Sequence, residues 1–148
     1  FSYPVLSRPP RLITTSPGLP REVVVFSFIR RLKPGSYCLV VGSRNFISGM
    51  RFYEKYLDDA GKHIKYIADA RIPPGADDQD SFPGYENFDE IGYIRESLDF
   101  VEGFKPAFVY LEGLTRIRFR GKDICCYRKK LSLFLERISA SGAEVLFS

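Results

Sequence analysis

Residues 37–51, YCLVVGSRNFISGMR, carry the strongest signal for the fold of this chain. The first five of them form an uninterrupted apolar run, and Gly42 ends it. A strand that is apolar on both of its pleated faces must be buried on both sides, as happens in a parallel sheet covered by helices. The stretch therefore predicts a central parallel strand that leads through a turn into a helix.

The helix after this strand is expected to cover residues 48–60. Residues 43–47 are assigned to a loop, Ser48 belongs to the residue types that cap helix N-termini, and Gly61 is the expected residue just past the end. Three aromatic residues recur at helical spacing and are expected to pack against the sheet: Phe52, Tyr53 and Tyr56.

Apolar runs and amphipathic segments alternate along the rest of the chain. Further strands are predicted over 63–68, 107–111 and 143–147, and further helices over 21–32, 89–101 and 124–140. Strands that alternate with helices predict an α/β domain with a mostly parallel central sheet. Residues 1–20 contain five prolines and are interpreted as an extended N-terminal arm, which leaves residues 21–148 as a single domain.

Composition excludes several classes of protein. The 148 residues carry a net charge of +4, and no apolar run approaches the roughly 18–20 residues that span a bilayer, so no membrane partner is expected. One histidine and three cysteines without metal-ligand spacing predict no metal site and no cofactor. The cysteines favour a reducing, cytoplasmic setting, and scarce Asn and Gln with ten prolines are typical of a heat-adapted source.

Charge is unevenly distributed along the chain. Residues 66–102 contain ten acidic residues against two basic ones, whereas residues 1–65 contain eleven basic residues against four acidic ones. Residues 103–148 contain nine basic residues against four acidic ones. Segments of opposite sign can pair within the fold or between copies, so a pure protein–protein interaction module that forms homo-oligomers is one of the open alternatives.

A strand, a glycine and a helix are also the frame of a nucleotide phosphate loop, which requires the pattern G-x-x-x-x-G-K-[ST]. Counted from Gly42, the lysine position is Ser48 and the hydroxyl position is Gly49. If Gly49 is taken as the second glycine, these two positions become Met50 and Arg51. Neither register supplies the lysine or the magnesium-binding hydroxyl, so no catalytic residue is predicted.

Three short motifs resemble one family of ATPases. Residues 11–19 read RLITTSPGL, residues 32–36 read LKPGS directly before the central strand, and residues 107–113 read AFVYLEG. In this order they resemble the R-L-x-T-G-I-P-G-L-D segment, the I-P-x-G-S turn and the Walker B strand of the KaiC/RadA branch of the RecA-like ATPases. Residues 129–147 are similar to the helix and strand that follow in that family.

The resemblance implies a shortened RecA-like, P-loop-type three-layer domain that assembles with itself or with a RecA-like paralogue. It also implies ATP hydrolysis between subunits and work on DNA, but the missing lysine points to a degenerate paralogue. A vestigial nucleotide site would consist of Gly42, Arg44, Ser48, Gly49, Arg51 and Glu112, the last of these near the Walker B aspartate position. The alternative is an ATPase with a non-standard phosphate loop, in which Arg44 or Arg51 replaces the lysine and Glu112 holds magnesium.

Residues 116–130, RIRFRGKDICCYRKK, form a basic segment with seven Lys and Arg against one acidic residue. Cations that follow a nucleic-acid backbone and rings that stack on bases are the mixture used by single-strand binders. The candidate nucleic-acid-binding residues are Arg116, Arg118, Phe119, Arg120, Lys122, Tyr127, Arg128, Lys129 and Lys130. A charge-protected edge strand and a contact with the acidic stretch 77–102 of a neighbouring subunit remain alternatives.

Taken together, the sequence predicts a non-catalytic RecA-like paralogue that binds nucleic acid or acts as a scaffold in DNA metabolism. Single-stranded nucleic acid and a RecA-like paralogue or a second copy of the chain are the expected partners.

Overall fold

The computed structural model describes residues 10–12, 20–55, 62–68, 92–113 and 124–148. In this part of the chain the strands are β1 (Arg11–Leu12), β2 (Tyr37–Gly42), β3 (His63–Ala68), β4 (Phe108–Leu111) and β5 (Glu144–Phe147). The helices are α1 (Arg21–Arg30), α2 (Arg44–Glu54), α3 (Gly92–Phe104) and α4 (Ile124–Ser139). The predicted alternation of strands and helices is confirmed.

The described strands form one sheet in the order β1-β5-β4-β2-β3, and all neighbouring strands are parallel. The α/β class and the parallel sheet are therefore confirmed. β1 is a strand that the sequence analysis missed: Arg11 and Leu12 pair with Leu146 and Phe147 of β5. Two residues are too few to show a period of two, so only the pairing with β5 identifies this strand within the N-terminal arm.

Helices cover both faces of the sheet. Cys38 and Val40 of β2 pack with α1 and α2, whereas Leu39 and Val41 pack with α3 and α4. All four side chains are almost completely buried. Burying an apolar side chain of this size contributes about 1.5–3 kcal/mol, so the two-sided burial of β2 explains why the run is apolar at consecutive positions.

α1 buries Val25 together with Phe26 and Ile29, which lie one and four positions after Val25. This spacing places them on one face of a helix and confirms the helix predicted there. α3 and α4 confirm the helices predicted in the second half of the chain, although the predicted first residue Asp89 lies outside the described residues. None of the helices in the described ranges is long and apolar enough to cross a membrane.

α2 begins four residues earlier than predicted. Ser43, not Ser48, is its N-cap, and the Ser43 side chain accepts a hydrogen bond from the Phe46 backbone N–H. The predicted loop over 43–47 is therefore wrong, because four of its five residues are helical. The helix begins directly after Ser43, and this start places Phe46, Ile47 and Met50 on its buried face.

The aromatic face predicted for this helix is only partly present. Phe52 is 55% exposed, so the prediction that it packs against the sheet is wrong. Tyr53 is half-buried and its ring centroid lies 6.0 Å from that of Phe26 in α1. Tyr56 lies outside the described residues. Because the helix starts at Arg44, Phe46 and Met50 already cover the sheet and Phe52 turns towards solvent.

Candidate functional site

The direction in which successive strands are added to the sheet changes between β2 and β4. These strands are neighbours, but β2 continues through α2 to β3 on one side, whereas β4 continues through α4 to β5 on the other. The carboxyl ends of β2 and β4 lie side by side, with Val41 paired to Leu111. Open α/β sheets bind their ligands at such a switch point, so the residues just after these two strands form the candidate site.

A carboxylate and a hydroxyl meet at this switch point. Ser43 Oγ donates a hydrogen bond to Glu112 Oε1 over 3.4 Å and accepts one from the Phe46 N–H at 3.2 Å. The Glu112 backbone N–H donates to the Val41 carbonyl at 2.9 Å, which fixes the residue beside the end of β2. The carboxylate thus lies at the N-terminus of α2, where the helix dipole and the free N–H groups favour a negative charge.

Gly42 permits this close approach. A Cβ at position 42 would lie 2.8 Å from Glu112 Oε2, 3.0 Å from Phe46 Cδ1 and 3.2 Å from Glu112 Cβ. The Phe46 ring is itself buried and packs on Tyr110 with a centroid distance of 5.1 Å. The space over Gly42 is therefore filled by the chain's own carboxylate and ring.

This geometry differs from a phosphate loop in two respects. A phosphate loop wraps its anion with several backbone N–H groups between strand and helix, whereas here Ser43 alone connects β2 to α2. The Glu112 carboxylate already occupies the neighbourhood of the helix N-terminus and would repel a phosphate group. The space over Gly42 thus holds Glu112 and Phe46 of the chain itself, at the end of the strand where a phosphate loop would begin.

A second polar cluster extends the site towards the end of β5. Tyr110 Oη donates to Ser148 Oγ at 3.2 Å, and the Gly113 N–H donates to the same oxygen at 3.2 Å. Burial raises the pKa of Tyr110, and the nearby Glu112 charge adds to the rise, whereas Ser148 and the Arg21 guanidinium oppose it. Tyr110 stays protonated near neutral pH and acts as a hydrogen-bond donor that holds Ser148 against the site.

The residues predicted for a vestigial nucleotide site are only partly brought together. Gly42, Arg44 and Glu112 lie at the switch point, and Arg44 is exposed in the first turn of α2. The other three, Ser48, Gly49 and Arg51, lie farther along α2.

The three residues farther along α2 have separate surroundings. Gly49 packs against Glu22 of α1, and a Cβ there would lie 2.9 Å from Glu22 Oε1. The Arg51 guanidinium lies 5.4 Å from the ring centroid of Tyr66, and Ser48 is exposed.

Most of the basic segment lies outside the described residues, namely Arg116, Arg118, Phe119, Arg120 and Lys122. Tyr127 is in the first turn of α4, and its side chain is not among those described. The remaining members are exposed in the second turn of α4: Arg128, Lys129 and Lys130. The structure therefore locates the end of the predicted binding segment and its exposure to solvent.

Sequence reasoning missed Tyr110 as a neighbour of Glu112, and it missed Ser148 and Arg21 as neighbours of Tyr110. Tyr110 lies in β4 and Glu112 follows the last residue of that strand, so the spacing of two that places them on the same side is readable from the sequence. Ser148 and Arg21 join them only through the pairing of β4 with β5 and the packing of α1, for which the sequence carries no signal. Among the described residues, no group of three His, Cys, Asp or Glu is arranged to hold a metal ion.

No protein-family model and no curated protein sequence matches this chain.

Proposed function

We propose that this chain is a non-catalytic RecA-like paralogue that binds single-stranded nucleic acid through the basic segment 116–130. The observation that carries the proposal is the exposure of Arg128, Lys129 and Lys130 in α4. Consecutive helix residues are about 100° apart, so three exposed neighbours cover more than half of the helix circumference. This part of α4 stands clear of the described core and is free to contact a phosphate backbone.

The position of α4 also supports the proposal. α4 follows β4, so its first turns lie near the carboxyl edge of the sheet, at the same edge as the switch point. The apolar side of α4 packs on the sheet through Phe134, Leu135 and Ile138. The helix is thus anchored by its second half and presents cations with its first half.

The lack of catalysis is supported by the region around Gly42. Phe46 and the Glu112 carboxylate fill the space over Gly42, and the connection between β2 and α2 is a single residue, Ser43. A nucleotide phosphate would have to displace the buried Phe46 ring and approach a carboxylate. The ATPase alternative would therefore need a rearrangement of α2.

Fluorescence anisotropy with labelled single-stranded oligonucleotides at several salt concentrations tests the binding. On single strands, log affinity falls with log salt by about 0.7 per phosphate contact. The triple variant Arg128→Ala/Lys129→Ala/Lys130→Ala is expected to bind more weakly and to lower this slope by about 2. The triple variant Arg116→Ala/Arg118→Ala/Arg120→Ala should behave in the same way.

The matched control is Lys55→Ala/Lys65→Ala/Arg95→Ala, which removes the same charge from other exposed positions. An equal loss of affinity in the control would mean that net charge, not this segment, determines binding. If the wild-type chain binds no oligonucleotide at low salt and instead self-associates in a salt-sensitive manner, the homo-oligomer alternative replaces the proposal.

A further inference from the structure

The amino-terminal edge of the sheet carries an exposed column of aromatic rings. Tyr37 begins β2 and His63 begins β3, and the two residues are directly paired across the strands. Their rings are stacked with centroids 4.9 Å apart. Phe104, at the end of α3, lies 5.3 Å from Tyr37, and Phe100 lies 4.8 Å from Phe104. We call these four residues the aromatic column.

Three of the four rings of the aromatic column are open to solvent, and Phe100 is half-buried against the core. Tyr37 is 37% exposed, Phe104 is 53% exposed and His63 is also exposed. The other large exposed apolar side chains of the described ranges are Leu12, Val23, Phe52 and Leu133. Three of them are aliphatic, and the Phe52 ring packs edge-on against Tyr53, which is itself half-buried. Several exposed rings in contact with one another mark an interaction surface better than single exposed side chains do.

Cations surround the aromatic column. Lys62 and Lys105 are the chain neighbours of His63 and Phe104, and the Lys62 ammonium donates to the Arg30 carbonyl at 2.9 Å. Lys105 has a φ of +47°, a conformation that is strained for lysine and places an exposed cation directly after α3.

The turn that enters Tyr37 adds Lys33 to these cations, and Lys33 is exposed. The carboxylates in the last turns of α3 are Asp99 and Glu102, and Glu102 is paired with Arg137. Among the described residues around the column, lysines therefore outnumber carboxylates, and one of the carboxylates is paired.

We propose that the aromatic column is a binding site for single-stranded nucleic acid, with bases stacked on its rings and phosphates on Lys62, Lys105 and Lys33. Exposed rings and lysines together favour this ligand over a protein partner, because lysine is depleted in protein–protein interfaces whereas cations beside aromatic platforms are typical of single-strand sites. Every base has a flat face that can stack on a ring, so the site is expected to show little sequence specificity.

This site is separate from the basic segment. β2 runs from Tyr37 at one edge of the sheet to Gly42 at the other, and five steps of about 3.3 Å separate the two edges by about 16 Å. The inference does not depend on the proposed function, since it rests on other residues and another edge. A single strand that contacted both edges would have to pass around the domain.

The test measures stacking separately from charge. His63→Ala/Phe104→Ala removes two rings, and Phe52→Ala/Leu133→Ala is the matched control, since both control residues are 55% exposed and lie outside the column. Each variant is titrated with a single-stranded oligonucleotide of about 12 nucleotides and with an abasic strand of the same length. A 2-aminopurine reporter in the first strand reports stacking through its fluorescence quenching.

The ring variant is expected to lose about tenfold in affinity per ring for the normal strand, to lose the quenching and to keep its salt slope. Lys105→Asn is expected to lower the salt slope by about 0.7 while quenching remains, because asparagine tolerates a positive φ. The control should bind like the wild type. Persistence of these effects in the Arg128→Ala/Lys129→Ala/Lys130→Ala background distinguishes this site from the basic segment.

Three results would overturn the proposal. Equal affinity for the abasic and the normal strand would exclude base stacking. Unchanged binding and quenching in His63→Ala/Phe104→Ala would place the contact elsewhere. Self-association that this variant abolishes, without any oligonucleotide binding by the wild type, would assign the aromatic column to a contact between copies.

Discussion

Replacing Gly42 with alanine is expected to lower the free energy of unfolding by about 1–3 kcal/mol, the usual cost of one extra methyl group in a packed region. The new Cβ would meet Glu112 Oε2 at 2.8 Å, Phe46 Cδ1 at 3.0 Å and Glu112 Cβ at 3.2 Å. The carboxylate ends a flexible side chain and can move away, which weakens the hydrogen bond that Ser43 donates to its other oxygen, Oε1. The Phe46 ring is held by Tyr110 and must shift by a few tenths of an ångström.

Urea unfolding followed by circular dichroism measures this change, and a loss of about 2 kcal/mol corresponds to a drop in Tm of roughly 4–8 °C for a chain of this size. Gly103→Ala is the matched control. Gly103 lies in α3 and a Cβ there meets nothing within 4 Å, so alanine should stabilise the protein by about 0.5–1 kcal/mol through its helix propensity.

The crowding with Glu112 is tested by a double-mutant cycle. In the Glu112→Ala background the carboxylate is gone while the Cβ of residue 112 remains, so Gly42→Ala loses its shortest contact and should cost less than it does in the wild type. A cost below about 0.5 kcal/mol in the wild type, or the same cost in both backgrounds, would refute the close approach of Glu112 to Gly42.

Three further predictions follow from the described residues. Ser43→Ala is expected to lower the free energy of unfolding, measured in urea, by about 0.5–2 kcal/mol. Ser43→Gly should lower it by only a few tenths of a kcal/mol, because glycine is also a good N-cap. Equal losses in the two variants would contradict the assignment of Ser43 as the N-cap. Burial raises the pKa of the Cys38 thiol from 9.0 to about 11. Because the thiol of the unfolded chain therefore ionises at lower pH, the free energy of unfolding should fall between pH 9 and 11 by up to about 1.4 kcal/mol per pH unit. This contribution should be missing in Cys38→Ala. Magnesium with ATP should leave Tm unchanged in thermal-shift assays, because Phe46 and Glu112 fill the space over Gly42, and a clear rise would favour the ATPase alternative.

The order of the elements was readable from local patterns. β3 has the predicted bounds, and β2 was recognised because a run that is apolar at consecutive positions suits a strand covered on both faces. The α1 spacing of Val25, Phe26 and Ile29 is typical of a helix even though valine favours strands. These features depend on residues that are close together in the chain, so the spacing of the apolar residues in the sequence reveals them.

The start of α2 shows where local patterns are insufficient. Ser43 and Ser48 are both acceptable N-caps, and Gly49 adds a second turn-like signal. The packing of Phe46 on Tyr110 and of Met50 in the core selects Ser43, since only this start places both side chains on the buried face. Contacts with residues distant in sequence, such as Tyr110, therefore determine which of the two serines caps the helix.

Residue types at short spacing were therefore enough to predict the α/β class and the parallel central strands, and they also show that the phosphate-loop lysine is missing. Three contacts became visible in the folded chain alone: β1 pairs with β5, Glu112 lies over Gly42, and the rings of His63, Tyr37 and Phe104 form one column. Each of these contacts joins segments that are far apart in the chain. Their formation depends on strand order and helix packing, which bring distant side chains together without leaving a periodic pattern in the sequence.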